Sequence, residues 1–171
     1  MNKTLALELN NFLPIPTDLR SPADQNTPVA EIRVNLPDLF HQLYLDTYGN
    51  TPPARNPINH LYLPMLAAGR PLRFQPNGLG SHKEARIGES NKFGKAFCRW
   101  FLYSHCGINY FAHMDDVLEN RFAHRLGPIQ VTRSTEGDTP DYLCSRNARN
   151  LFDTGMTRFL RQRQRDRTWP G

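Results

Sequence analysis

Apolar side chains recur most regularly between residues 90 and 107, where Phe93, Phe97, Trp100 and Phe101 fall three or four residues apart and Ser104 continues the spacing. That period places them along one helical face, with Ser90 as a candidate cap and Gly107 as a stop. The pattern predicts a helix over about 91–106 at the centre of the core. A second stripe, Leu39, Phe40, Leu43 and Tyr44, lies between Pro37 and Gly49. Proline fits a first helical turn and glycine a helix end, so Leu36–Tyr48 is the other clear helix. A short apolar piece covers 60–68, and the Gly-rich stretch between Arg73 and Glu89 reads as a loop. Beyond Gly107 the pattern shortens. Residues 108–112 look extended, and Asp115 is placed to cap a helix carrying Leu118, Phe122 and Leu126 before Gly127. Strands are expected at 128–133 and 140–144, then a turn at 145–150 and a third strand from Leu151.

These elements predict an α/β (α+β) domain, a small mixed sheet of short strands packed on two helices. Eleven of the fourteen prolines precede residue 89, so the first half should consist of short, irregular pieces joined by loops. The expected organisation is a proline-rich region over 1–88, a core over 89–154 and a basic tail over 155–171. With 171 residues, 39% hydrophobic and 22% charged, the chain can bury a core of its own. It holds no apolar run of membrane-spanning length, and Met1–Asn11 lacks the pattern of an export signal. Cys98, Cys106 and Cys144 are too few for a disulfide framework. The expectation is a cytoplasmic protein with reduced thiols and no membrane partner.

Charge changes this picture. Residues 121–171 contain ten arginines, no lysine and five acids, so the whole formal charge of +5 falls there and the first 120 residues are neutral. Arginine forms forked contacts with phosphate, which suits a nucleic-acid partner. The bland reading is a solvated basic face. Arg133, Arg146, Arg149, Arg158, Arg161, Arg163 and Arg165 are the candidate nucleic-acid-binding residues. The tail from 155 reads either as a basic helix over 156–167 or as the out-of-register end of a once longer chain.

Candidate chemistry rests on acids. Pro140-Asp141 opens a short strand, Asp153 lies beyond the next turn, and Glu119 is on the helix upstream. On these residues, the segment 119–153 resembles the PD-(D/E)xK nuclease superfamily, which places an aspartate at the start of one strand and an acid-x-lysine triplet on the next. The resemblance implies a restriction-endonuclease-like core. Asp141 and Asp153 would hold Mg²⁺ or Mn²⁺, and Glu119 would complete the catalytic set. Its implied partner is nucleic acid, DNA ahead of RNA. Where the family carries its lysine this chain has Asp153-Thr154-Gly155, and no lysine follows Lys95. The expected site is therefore degenerate or truncated, with weak or absent cleavage.

Other constellations have simpler explanations. Cys98, His105, Cys106 and His113 lack the paired spacing of a structural zinc site and read as core residues. The cluster His113, Asp115 and Asp116 reads as a helix cap. Glycines 78, 80 and 88 are not followed by the Gly-Lys-Ser/Thr of a phosphate loop. From a different class comes a non-catalytic interaction module whose aromatic helix 91–106 meets a second copy or another protein.

Overall fold

The computed structural model describes residues 1–49, 65–119, 131–133 and 139–146. It is a mixed α+β fold whose sheets are two antiparallel pairs, β1–β2 and β3–β4. The chain divides into two compact units, Met1–Cys106 and Gly107–Gly171.

In the first unit β1 (Asn2–Ala6) pairs antiparallel with β2 (Glu31–Asn35), Asn2 opposite Asn35 and Ala6 opposite Glu31. Residues Glu31–Asn35 alternate, so Ile32 and Val34 point into the core while Arg33 stays outside. β1 is also bonded along its other edge. The Thr4 amide donates to the Arg70 carbonyl (2.7 Å) and the Leu72 amide to the Thr4 carbonyl (2.7 Å). Residues 65–75 form the arm that supplies those groups, closed by Ala67 N–H to Arg73 O (2.8 Å) and Gln75 N–H to Met65 O (3.0 Å). At its turn Gly69 has φ of +90°, a conformation that side chains disfavour.

Lys3 fastens this turn to β1. It is only 1% exposed, and its ammonium donates to the carbonyls of Ala67 (2.7 Å) and Gly69 (2.6 Å). Burying a charge is costly, so the bonds must offset desolvation. Replacing Lys3 with Met keeps the stem but leaves both carbonyls without this donor. The expected loss is about 1.5–3 kcal/mol, the range for hydrogen bonds to charged groups, measured by urea unfolding. Unchanged or increased stability would show that desolvation outweighs the bonds.

β2 runs directly into α1 (Leu36–Tyr48), with Pro37 in the first turn and Gly49 closing the helix at φ +68° through an amide bond to Leu45 O (2.9 Å). This helix has the bounds expected from its stripe. It packs against α2 (Lys83–Cys106), and Leu36, Leu39 and Leu43 join Ile32, Val34 and Trp100 in one core. Rings of Phe40 and Phe74 meet Phe93 edge-on at 6.4 and 5.3 Å. A polar link crosses the helix pair, where Arg99 reaches the Asp46 carboxylate (3.7 Å) and donates to Gln42 Oε1 (3.5 Å).

Two expectations change here. α2 begins at Lys83, two turns before the predicted start, and Ser90 lies within it rather than capping it. Residues 83–90 are exposed but for the half-buried Glu89, so they carry no apolar stripe, yet Lys, Glu, Ala and Arg favour helix without one. The expected loop over 73–89 therefore shrinks. In addition, the division falls after Cys106 rather than near residue 88, because the aromatic face of α2 packs on α1 and the first half of the chain. The described prolines stand between elements or in the first turn of α1, as short pieces joined by loops require.

In the second unit β3 (Tyr110–His113) continues into α3 (Met114–Leu118) and pairs antiparallel with β4 (Tyr142–Ser145). Ala112 and Val117 are buried with Tyr110, Met114, Val131 and Leu143 around them. The strand expected at 108–112 lies two residues later at its start, with Ile108 fully buried ahead of it. His113, not Asp115, holds the cap position of α3 and makes no side-chain capping bond; Asp115 and Asp116 lie in the first turn, where their charge favours the positive helix end. Residues 131–133 are not strand, and β4 pairs with β3. Pairing with β3 lets Leu143 join Ala112 and Val117 in the unit's core. Residues 128–130, the stripe positions Phe122 and Leu126, Gly127, the strand from Leu151 and the tail lie outside the described residues. Among the described residues no helix is long and apolar enough to cross a membrane.

Candidate nucleic-acid interface

Asp141 stands directly before β4, and its main-chain carbonyl accepts the Met114 amide at 3.0 Å. That bond ties the entrance of β4 to the first residue of α3, and the Asp141 residue is exposed. Glu119 follows the other end of α3, its amide bonded to Asp115 O (2.9 Å). Met114 and Glu119 are five positions apart along the helix, about 7.5 Å of axial rise. The structure thus brings Asp141 and Glu119 into one unit but sets them at opposite ends of α3. Asp153 lies outside the described residues. Among the described residues no three His, Cys, Asp or Glu side chains come together as a group that could hold a metal ion. The described acids alone do not make a donor set for Mg²⁺ or Mn²⁺, and no hydrolytic step is routed through one.

Of the candidate arginines, Arg133 and Arg146 are described and both are exposed. Arg146 directly follows β4, and its carbonyl accepts the Asn109 side-chain amide at 3.3 Å, which holds the strand end beside the start of β3. Arg149, Arg158, Arg161, Arg163 and Arg165 lie outside the described residues.

The Cys/His group separates by role. None of Cys98, Cys106 and Cys144 is in a disulfide. His105, in the last turn of α2, pairs through Nδ1 with the carboxylate of Asp18, on a 3-10 turn at Thr17–Leu19. Its ring packs against Trp100 (5.4 Å) and Phe101 (5.2 Å). A partner 87 positions away leaves no mark in the sequence pattern.

The aromatic helix turns inward. Phe93 and Trp100 are buried, Phe101 meets Phe12 at 6.0 Å, and the large apolar residues of α2 left most exposed are Ile87 (51%) and Tyr103 (52%). Phe93, Phe97, Trp100 and Phe101 therefore pack within their own unit, while Tyr103 stays exposed. Rings missed in the sequence occur on the β3–β4 pair, where Tyr142 lies 6.0 Å from Phe111 and 5.1 Å from His113. The alternation of Phe111 and His113 around Ala112 was the available signal.

Comparison with family models, curated proteins and solved structures yields no match.

Proposed function

We propose that this chain binds nucleic acid through its arginine-rich second unit, on a core that resembles a degenerate metal-dependent nuclease. The observation that carries the reading is the charge asymmetry, in which residues 121–171 hold the entire formal charge of +5 and use arginine alone. A guanidinium presents its donors in a fixed fork that matches phosphate, and each contact releases condensed counterions. Arg133 and Arg146, exposed beside or near the β4 strand in sequence, are the described members of this set. DNA is the first candidate ligand, and arginine contacts to phosphate predict little dependence on base sequence.

Asp141, Asp153 and Glu119 are the proposed remnant of the catalytic set, with Mg²⁺ or Mn²⁺ as the metal the resemblance implies. The family's lysine has no counterpart after Lys95, so the expected behaviour is binding without efficient cleavage. The test uses labelled DNA and RNA, single- and double-stranded, with divalent metal and with chelator. The account predicts a retained, uncut complex for the natural chain and for Asp141→Ala, and at least about tenfold weaker binding when Arg158, Arg161, Arg163 and Arg165 are all replaced by Gln. Rapid metal-dependent cleavage that disappears in Asp141→Ala would establish a working site and overturn the degenerate reading. Affinity unaffected by the four glutamines would remove those arginines from the interface.

A further inference from the structure

The connection between the 65–75 arm and α2 holds a chemically labile pair. Asn77-Gly78 is the only place in the sequence where glycine follows asparagine. Glycine has no side chain to shield its main-chain nitrogen, so that nitrogen can reach the amide carbon of the asparagine before it. The Gly78 nitrogen loses its proton and bonds to Asn77 Cγ, and the side-chain nitrogen leaves as ammonia. Water then opens the cyclic imide at either carbonyl. The product is aspartate or isoaspartate, the latter with the main chain rerouted through Cβ and Cγ.

The fold itself requires this pair. Gln75–Gly78 is a type II turn, with Pro76 second, Asn77 third at φ +59° and the Gly78 amide donating to Gln75 O (2.9 Å). Glycine and asparagine are the residues that accept a positive φ at that third position. At 78 the backbone passes so close to Met65 that a Cβ would collide with its carbonyl oxygen, so glycine fits where a side chain does not. The turn also holds the reacting peptide group at both ends. Its N–H is bonded to Gln75 O, and its carbonyl, that of Asn77, accepts the Gly80 amide (2.8 Å). The third residue of such a turn has ψ of about 0°, whereas attack needs the Gly78 nitrogen swung round toward Cβ. That rotation breaks both bonds. Asn77 is exposed, so water reaches it and the restraint on the reaction is the turn rather than burial.

We propose that Asn77 is a deamidation site guarded by the Gln75–Gly78 turn. The closed turn keeps the pair intact, and each local opening exposes it to conversion. Isoaspartate at 77 lengthens the main chain between the two turn bonds and adds a negative charge, so the turn cannot close as before. The proposal is independent of the nucleic-acid reading.

Peptide mass spectrometry of the full chain held at alkaline pH, once in buffer and once in urea that unfolds it, tests this. In urea Asn77 is expected to convert faster than every other asparagine. In buffer its conversion should be at least about tenfold slower, the factor that about 1.4 kcal/mol of local closing gives. Pro76→Ala keeps the labile pair but frees the backbone that proline pre-sets. It should raise the rate in buffer about two- to fivefold and leave the rate in urea unchanged. Circular dichroism reports whether that variant folds, and the comparison of buffer with urea on the natural chain stands without it. Equal rates in buffer and urea, or a rate in buffer indifferent to Pro76→Ala in a folded variant, overturns the guard. Another asparagine converting first in urea, or no conversion at Asn77, overturns the site.

Discussion

Replacing Trp100 with Ala should destabilise the first unit by about 3–5 kcal/mol, the usual cost of deleting a large buried aromatic. Trp100 is 3% exposed and belongs to the cluster that joins β2, α1 and α2. Its indole lies 5.4 Å from Phe97 and meets the His105 ring edge-on at the same separation. A methyl group in its place leaves a cavity within that cluster, and close-packed surroundings relax only partly. A domain's whole stability is about 5–15 kcal/mol, so the loss is a large fraction of the total. Urea unfolding followed by circular dichroism measures it. A loss below about 1 kcal/mol would show that the α1–α2 core does not depend on this ring.

How much the sequence revealed depended on whether an element's own residues carried its cause. α1 was legible to both ends because Pro37, the leucine stripe and Gly49 are all local signals. The last four turns of α2 were legible for the same reason, whereas its first two turns are solvent-exposed and show only propensity. β1 was missed. Its buried position is a lysine, and Lys3 is stabilised there by carbonyls 64 and 66 residues away. Likewise, β4 follows from the short apolar run after Pro140-Asp141, but its partner does not. Pairing with β3 crosses 28 residues from His113 to its partner's last preceding neighbour, Asp141, and is selected by burial rather than by any turn signal.

The candidate site divides similarly. Asp141 at a strand entrance was anticipated from the Pro-Asp pair, and it stands directly before β4. Glu119 was anticipated on the preceding helix and instead closes its C-terminal end. The Asp18–His105 pair is a product of tertiary packing, which no local pattern encodes, and for the ring contacts of Tyr142 the sequence shows only the alternation on β3, not the strand that meets it.

The second large effect concerns ionic strength. If the seven arginines proposed to meet nucleic acid each neutralise one phosphate, the logarithmic salt slope is about −5 for a single strand and about −6 for a duplex. Raising salt from about 50 to about 200 mM then lowers affinity by about 10³-fold or more. A protein that met its ligand chiefly through apolar surface would show almost none of this dependence, because hydrophobic contacts are not screened by salt.

The measurement that bears most directly on the account is therefore binding of a labelled single-stranded oligonucleotide by the full chain across a salt series. A steep linear fall of log affinity with log salt, made shallower when Arg158, Arg161, Arg163 and Arg165 are replaced by Gln, is the predicted result. No detectable binding at low salt, or binding whose slope is near zero and unaltered by those substitutions, would contradict it.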